Sequence, residues 1–314
     1  MSTPIRLGTR RSPLAVAQST LVADALRAAS STPVELVYVT TTGDTSTDPL
    51  RQIGGTGVFV SALRDALLSG EVDVAVHSLK DLPTAPAPGL VLAAHPPRED
   101  PRDALVARDG HTLTSLPSGA RVGTGSPRRA AQLAALRPDL EVVDIRGNVD
   151  TRIGLVTDGS VDAVVLAVAG LRRLGRMQSV TEVIDSSLMT PAPGQGALAV
   201  ETAASSDADG STLLTALRSL DDPATRAAVT AERALLSALE AGCSAPVGAL
   251  AVVDEPGFHT PELTLHAFVG SSDGLNEQRL SITAPLTDAD AAGRQLAARL
   301  LDAGAAAFLG EPAL

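Results

Sequence analysis

The sequence predicts an α/β protein of two similarly built lobes followed by a smaller α/β domain, and three observations predict it. RLGTRRSPLAVAQ at residues 6–18 and RVGTGSPRRAAQ at 121–132 share one order: a short apolar strand, Gly-Thr, then Ser-Pro and, past one helical turn, Ala-Gln. A second echo pairs Gly70-Glu71-Val72-Asp73-Val74 with Gly159-Ser160-Val161-Asp162-Ala163. Pro-rich, charged stretches at residues 94–101 and 190–196 mark where the chain crosses between lobes, so the second lobe is an insertion into the first.

Taken in order, the apolar residues after Arg6 open a strand, Ser12 is placed to cap a helix and Pro13 takes the first helical position, where a missing N–H costs nothing. Val72–Val76 reads as a buried strand that delivers His77-Ser78-Leu79-Lys80-Asp81 just past its carboxyl end, where open α/β sheets bind ligands. Ser126 and Pro127 repeat the cap and the helix start in the second lobe, and its later strand ends in a charged loop at Arg172-Arg173. A strand feeding a helix N-terminus is a ready anion site, and arginines flank both copies, Arg10 and Arg11 in one, Arg128 and Arg129 in the other. Two such lobes suggest a cleft between them, with the two crossings as a hinge. Beyond a polar stretch near residues 203–211, a helix over 224–241 leads to Gly242-Cys243-Ser244-Ala245-Pro246, an alternating strand at 263–269 and an Ala-rich final helix. The expected division is 1–97 with 197–219, then 102–192, then 223–314.

Charge and composition narrow the function. Net charge is −11, but residues 1–200 carry 18 Arg and 1 Lys against 20 acids, whereas residues 201–314 carry 6 Arg against 16 acids. An acidic chain with 2% aromatic residues lacks the basic face and stacking platforms of a nucleic-acid binder, while small anionic ligands remain open. There is no run of eighteen apolar residues, so no membrane span is expected. One cysteine and five scattered histidines exclude a disulfide framework and give no metal-ligand spacing, and they suit a reducing, cytoplasmic setting.

Lys80 is the only lysine, and Asp81 follows it. The pair reads either as a solvated ion pair on a loop or as a reactive acid at a strand end. Cys243 reads either as a buried inert thiol or as an attachment point; no histidine lies near it in the string, which disfavours a Cys-His nucleophile. Arg10, Arg11, Arg128, Arg129, Arg146, Arg152, Arg172 and Arg173 fall at expected strand ends or helix starts, either as solvated surface charges or as planar forks for several carboxylates.

Seven strings in order, TRRSPLA (9–15), HSLKDLP (77–83), GTGSPRR (123–129), RGNVDTR (146–152), AVAGLRRL (167–174), PAPGQGAL (191–198) and AGCSAPVG (241–248), together resemble the porphobilinogen deaminases, or hydroxymethylbilane synthases, nearly end to end. The resemblance implies two lobes like those of periplasmic binding proteins with the active site between them, plus a third domain whose cysteine, here Cys243, holds a dipyrromethane cofactor through a thioether. It implies a transferase that joins four porphobilinogen units head to tail, losing ammonia each time, and releases a linear tetrapyrrole. Asp81 matches the catalytic carboxylate, able to stabilise pyrrole cations and help move protons. Ser78, Lys80, Thr124, Ser126, Arg128, Arg129 and Arg146 match positions that hold the cofactor, while Arg10, Ser12, Phe59, Arg152, Arg173 and Gln195 match positions that hold substrate. No metal is implied, and a monomer working on a small molecule, without nucleic acid or membrane, is expected. The chain departs from many relatives in having Gln52, Thr56 and Ser61 in the 50–61 loop where lysines are common, so that a charged lid role for the 43–61 segment is in question. Gly125 and Pro127 replace bulkier residues. The competing reading is a non-catalytic two-lobe binder or sensor of a small organic anion; it leaves the C-terminal cysteine domain unexplained.

Overall fold

Ile5–Thr9 forms the first strand, β1, and Ser12 then starts α1 (Pro13–Ser30) as its hydroxyl accepts the Ala15 N–H at 3.3 Å. Next come β2 (Val34–Tyr38), α2 (Gly57–Leu68), β3 (Val74–Ser78) and β4 (Leu90–Ala94). Strand β3 begins two residues later than the apolar pattern suggests, because Asp73 is a clamp. Its carboxylate takes the Arg6 N–H at 2.8 Å and the Arg6 guanidinium at 2.7 Å, while its own N–H donates to the Arg6 carbonyl. A 3₁₀ turn, Leu79–Asp81, follows β3 directly.

The second lobe runs through β5 (Asp103–Ala107), β6 (Arg121–Gly123), α3 (Pro127–Leu136), β7 (Glu141–Val143), α4 (Val149–Thr157), β8 (Ala163–Ala167), α5 (Val168–Arg173) and β9 (Glu182–Val183). Two local expectations need correction. Ser126 occupies the N-cap position of α3, but its side chain makes no capping hydrogen bond; instead its N–H is held by Thr124 Oγ1 at 3.2 Å. Arg172 and Arg173 sit in the last turn of a helix and not in a loop, because Val168, Ala169 and Leu171 give that turn a buried face, and cations suit a helix C-terminus.

The chain then returns through β10 (Leu198–Ala203) and α6 (Thr212–Arg218), and continues with α7 (Pro223–Ala238), β11 (Val247–Val253), β12 (Glu262–Gly270), β13 (Glu277–Pro285), α8 (Ala289–Asp302) and α9 (Ala306–Leu309). This is a computed structural model that describes residues 3–40, 57–204, 212–242, 245–254 and 261–309. They separate into two units, 1–98 with 197–226 and 99–196 with 227–314, so the C-terminal elements join the unit of the second lobe.

Both lobes are built on one plan. The first sheet has the order β2-β1-β3-β10-β4 and the second β7-β6-β8-β5-β9. In each, three strands are parallel and the fourth, delivered by a crossing segment, runs antiparallel beside the third. Each sheet buries both faces under helices. Leu7, Val22, Leu26 and Leu217 pack on one side of the first, and Leu63, Leu67 and Ala75 on the other; Leu105, Leu133 and Val165 face Val106, Val156 and Leu171 across the second. The antiparallel sheet β11-β12-β13 has its own core, in which Leu235 of α7 and Leu296 of α8 meet Leu263 and Leu265. Among the described residues no helix is long and apolar enough to cross a membrane.

Candidate functional site

Because β1 and β3 are parallel neighbours, their carboxyl ends share one edge of the first sheet, which brings Arg10 and Ser12 to the same edge as Ser78, Lys80 and Asp81. Buried Leu79 and Leu82 anchor the 3₁₀ turn, and the Leu79 N–H donates to the Ala197 carbonyl at 3.1 Å, which turns Asp81 outward into solvent. Ser78 is fixed from behind, since Gln18 Nε2 donates to its hydroxyl at 2.8 Å. One residue earlier, buried His77 lies 3.1 Å from the carboxylate of Glu201 on β10, and Arg64 of α2 holds that carboxylate with two hydrogen bonds of 2.7 and 3.0 Å. Burial would raise the Glu201 carboxyl, but the hydrogen bonds and charges of His77 and Arg64 outweigh it and bring the pKa down to about 2. Glu201 and Arg64 are a buttress that the sequence reading missed. The one signal was an acid inside the apolar run LAVETA.

The second sheet repeats the edge with different chemistry. Thr124 and Ser126 follow β6, Arg146 follows β7, and Asp103 opens β5 opposite Ala167, the last residue of β8. Asp103 is 0% exposed and sits among Arg128, Arg129 and Gln195. Its Oδ1 accepts from Arg129 at 2.7 and 3.1 Å and from Gln195 Nε2 at 2.9 Å, while its Oδ2 lies 2.8 Å from Arg128 Nη2. Burial opposes the charge, yet the two guanidiniums hold the Asp103 carboxyl far below the usual range. Sequence reasoning missed this residue, although an acid opening the buried run Ala104–Ala107 is a signal that it needs partners.

The same geometry separates the arginines. All three nitrogens of Arg129 are used inside the lobe, on Asp103 and on the Val165 carbonyl. Arg128, 3% exposed, donates to the Thr190 carbonyl at 2.7 Å, but its Nε is buried with no hydrogen-bond partner among the described residues, as is Nε of Arg152 on α4. Burial is the main cause that pushes the Arg128 and Arg152 guanidiniums below their ordinary values, and the Arg129 charge adds to it for both. Two buried cations, one buried acid and a third half-buried cation leave an excess of positive charge at an uncapped helix start. That donor set fits an anionic ligand, and so fits a group carrying several carboxylates. Arg146 stands apart and solvent-exposed, 4.0 Å from Asp144. Arg173 donates to the Gly196 carbonyl at 2.6 Å, and burial lowers its pKa. Arg172 pairs with Glu99 at 2.7 Å. Glycine at 125 is required by packing, since a Cβ there would lie 2.7 Å from the Ile145 carbonyl oxygen. Cys243, most of the 43–61 segment and the side chain of Phe59 lie outside the described residues.

The fold defines an α/β protein of two like-built sheets with a separate C-terminal sheet, and the edge of the second sheet gathers buried arginines at a helix start without a side-chain cap. Residues 5–210 match the family described as porphobilinogen deaminase, dipyromethane cofactor binding domain, and residues 226–302 match the porphobilinogen deaminase C-terminal domain. Porphobilinogen deaminase 1 of Streptomyces coelicolor is 60% identical, covering 98% of both chains. Porphobilinogen deaminase of Thermobifida fusca is 56% identical over 97% of this chain and 95% of its own. Among solved structures, a putative methionine-binding lipoprotein from Bacillus subtilis aligns with TM-score 0.42 at 14% identity, over 69% of this chain and 89% of that one. The chain belongs to the porphobilinogen deaminase family. It is therefore a hydroxymethylbilane synthase, a transferase that joins porphobilinogen units into a linear tetrapyrrole with release of ammonia and that uses a dipyrromethane cofactor. The reading as a non-catalytic anion sensor is set aside.

Proposed function

We propose that the carboxylates of the dipyrromethane are held at the edge of the second sheet by Arg128, Arg146, Thr124 and Ser126, with Ser78 and Lys80 contributing from the first lobe, and that Cys243 is its covalent attachment point. The observation that carries this is the buried, unpartnered Nε of Arg128 beside the uncapped start of α3. A carboxylate there supplies the missing acceptor and offsets a desolvated cation, both of which are costly to leave unmatched. Arg129, assigned to the cofactor by resemblance, works in this reading mainly through its charge, because its nitrogens already hold Asp103 and Val165. When bound, the cofactor supplies a free pyrrole α-carbon as the nucleophile to which units are added.

Asp81 is the catalytic carboxylate in this proposal. Each addition breaks the bond between the substrate's aminomethyl carbon and its nitrogen, forms a carbon–carbon bond and releases one proton from the attacked ring. Positive charge develops on the substrate pyrrole as ammonia leaves, and a fixed carboxylate at a strand end stabilises it and accepts the proton. Arg10, Ser12, Arg152 and Arg173 hold the substrate's acetate and propionate, and Phe59 and Gln195 complete the substrate site. Of these, Gln195 is committed through its Nε2 to Asp103 and the Pro101 carbonyl, so it orders the crossing segment as well. We further propose a division into domains 1–97 with 197–219, 102–192 and 223–314, and a cytoplasmic monomer that engages neither nucleic acid nor membrane, since a thioether attachment needs a reduced thiol.

Intact mass of the denatured protein tests the attachment. Purified enzyme is expected to exceed its sequence mass by one dipyrromethane, and Cys243→Ser to lose both adduct and activity. An active enzyme of unmodified mass overturns the assignment.

A further inference from the structure

Thr190, the first residue of the second Pro-rich crossing, is a junction between α3 and the C-terminal sheet. Its N–H donates to Gln132 Oε1 at 2.8 Å, and its carbonyl accepts from Gln132 Nε2 at 3.1 Å and from Arg128 Nη1 at 2.7 Å. Gln132 is itself buried one helical turn beyond Arg128, and its Nε2 also reaches the Arg128 carbonyl at 3.3 Å. Arg279 of β13 holds the same segment: its guanidinium lies 4.8 Å over the ring of fully buried Phe268 and donates to Thr190 Oγ1, the Ser187 carbonyl and the Leu188 carbonyl, each at 3.2 Å, and to Gln132 Oε1 at 3.4 Å. The backbone of β11 closes on the same point: a Cβ at Gly248 would lie 2.8 Å from the Thr190 carbonyl oxygen.

We propose that Arg279 is a positioning residue for Arg128, so that the C-terminal sheet sets the geometry of the carboxylate-binding edge of the second lobe through Thr190 and Gln132. This deepens the function proposed above and rests on Arg128 holding a cofactor carboxylate. A planar fork that spans three carbonyls and a hydroxyl while stacked on an aromatic ring fixes a loop in a way that a point charge cannot. Loss of the fork frees the 187–190 segment, and Arg128 then loses the carbonyl that orients one of its nitrogens while its Nε faces the ligand.

The test compares wild type with Arg128→Leu, Arg279→Leu, Arg279→Lys and Leu296→Ala, the last removing a side chain from the C-terminal core without touching the Thr190 junction. Each protein is weighed intact for the fraction that carries the cofactor mass, and its Tm is recorded. Arg128→Leu and Arg279→Leu are expected to lower the loaded fraction by about fivefold, the order typical of coupling through a packed network, with Arg279→Lys intermediate. Leu296→Ala is expected to lose at least as much Tm while staying loaded. A fully loaded Arg279→Leu beside a depleted Arg128→Leu overturns the positioning role and leaves the Arg128 reading intact. Equal depletion in Leu296→Ala also overturns it, because Arg279 would then act only through domain stability. A fully loaded Arg128→Leu overturns the cofactor reading of Arg128, and the positioning role with it. Should Arg279→Leu fail to fold, Arg279→Lys decides the matter in the same assay.

Discussion

The two lobes share a strand order and a Gly-Thr…Ser-Pro helix start, yet they treat charge at the sheet edge in opposite ways. In the first lobe the arginines precede the serine, Ser12 caps α1, and the buried acid, Glu201, lies mid-strand on β10 opposite Ala75, away from the edge. In the second lobe the arginines follow the serine, so they fall in the first turn of α3, where a cation opposes the helix dipole. Asp103 corrects that by sitting at the edge itself, between both guanidiniums. One sequence device thus produces a capped helix beside an exposed acid in one lobe and an uncapped helix over a buried cationic cluster in the other. The difference teaches that the position of a charge relative to a helix start, more than its presence near one, decides whether it can serve a ligand.

Removing Asp103 tests that contrast most severely. Asp103→Asn leaves two buried guanidiniums against no carboxylate and is expected to destabilise the protein by about 3–5 kcal/mol in denaturant unfolding, the range for breaking a buried pair. A loss under 1 kcal/mol would mean that the cluster is solvated and that the lobes differ less than their geometry indicates. The exposed acid of the first lobe should behave conversely. Asp81→Asn is expected to lower kcat by at least ~10²-fold with little change in unfolding free energy, and Asp81→Glu to retain more activity; a wild-type rate of single porphobilinogen additions in the loaded Asp81→Asn enzyme makes Asp81 a structural acid.

Acid unfolding probes the buried carboxylates together. Glu201 is lowered to about 2 from an ordinary 4.5, so its contribution is fully present above the unfolded value and is lost as pH falls through about 2. Asp103 is lowered too and has the same sign. Stability is therefore expected to fall between about pH 4.5 and pH 2, and Glu201→Gln to flatten that slope; an unchanged slope removes Glu201 from the account. The smallest effect separates the helix starts. Ser12→Ala is expected to cost about 1 kcal/mol and Ser126→Ala only a few tenths, since one hydroxyl caps and the other does not. Equal losses would show that the two starts are equivalent in solution.

Much of this was legible in the residues. Periodicity and the repeat placed β1, α1, β3, β6 and α3, and the strand-end position of Lys80 and Asp81 followed from one apolar run. The resemblance carried the candidate site onto numbered positions that no periodicity could rank. What stayed hidden were partners distant in the chain. Asp103 lies 25 residues from Arg128 and Arg279 lies 89 from Thr190, and neither pairing has a local pattern to betray it. Ser126 departs from its expected role locally: it stands at the N-cap position, but its hydroxyl makes no capping bond while its N–H donates to Thr124 Oγ1.

The amino-acid sequence by itself determined the class of the fold, the twofold repetition and the family, and it named the residues proposed for the cofactor, because strand and helix periods, Ser-Pro starts and short motifs are written within a few residues of one another. Only the tertiary structure decided which arginines are neutralised inside the second lobe and which buried nitrogen is left without a partner among the described residues. That choice depends on β5 arriving antiparallel beside β8 with Asp103 at its first position, and on the C-terminal sheet holding Thr190 in place. Both are consequences of segments brought together by burial, which acts on area and not on distance along the chain.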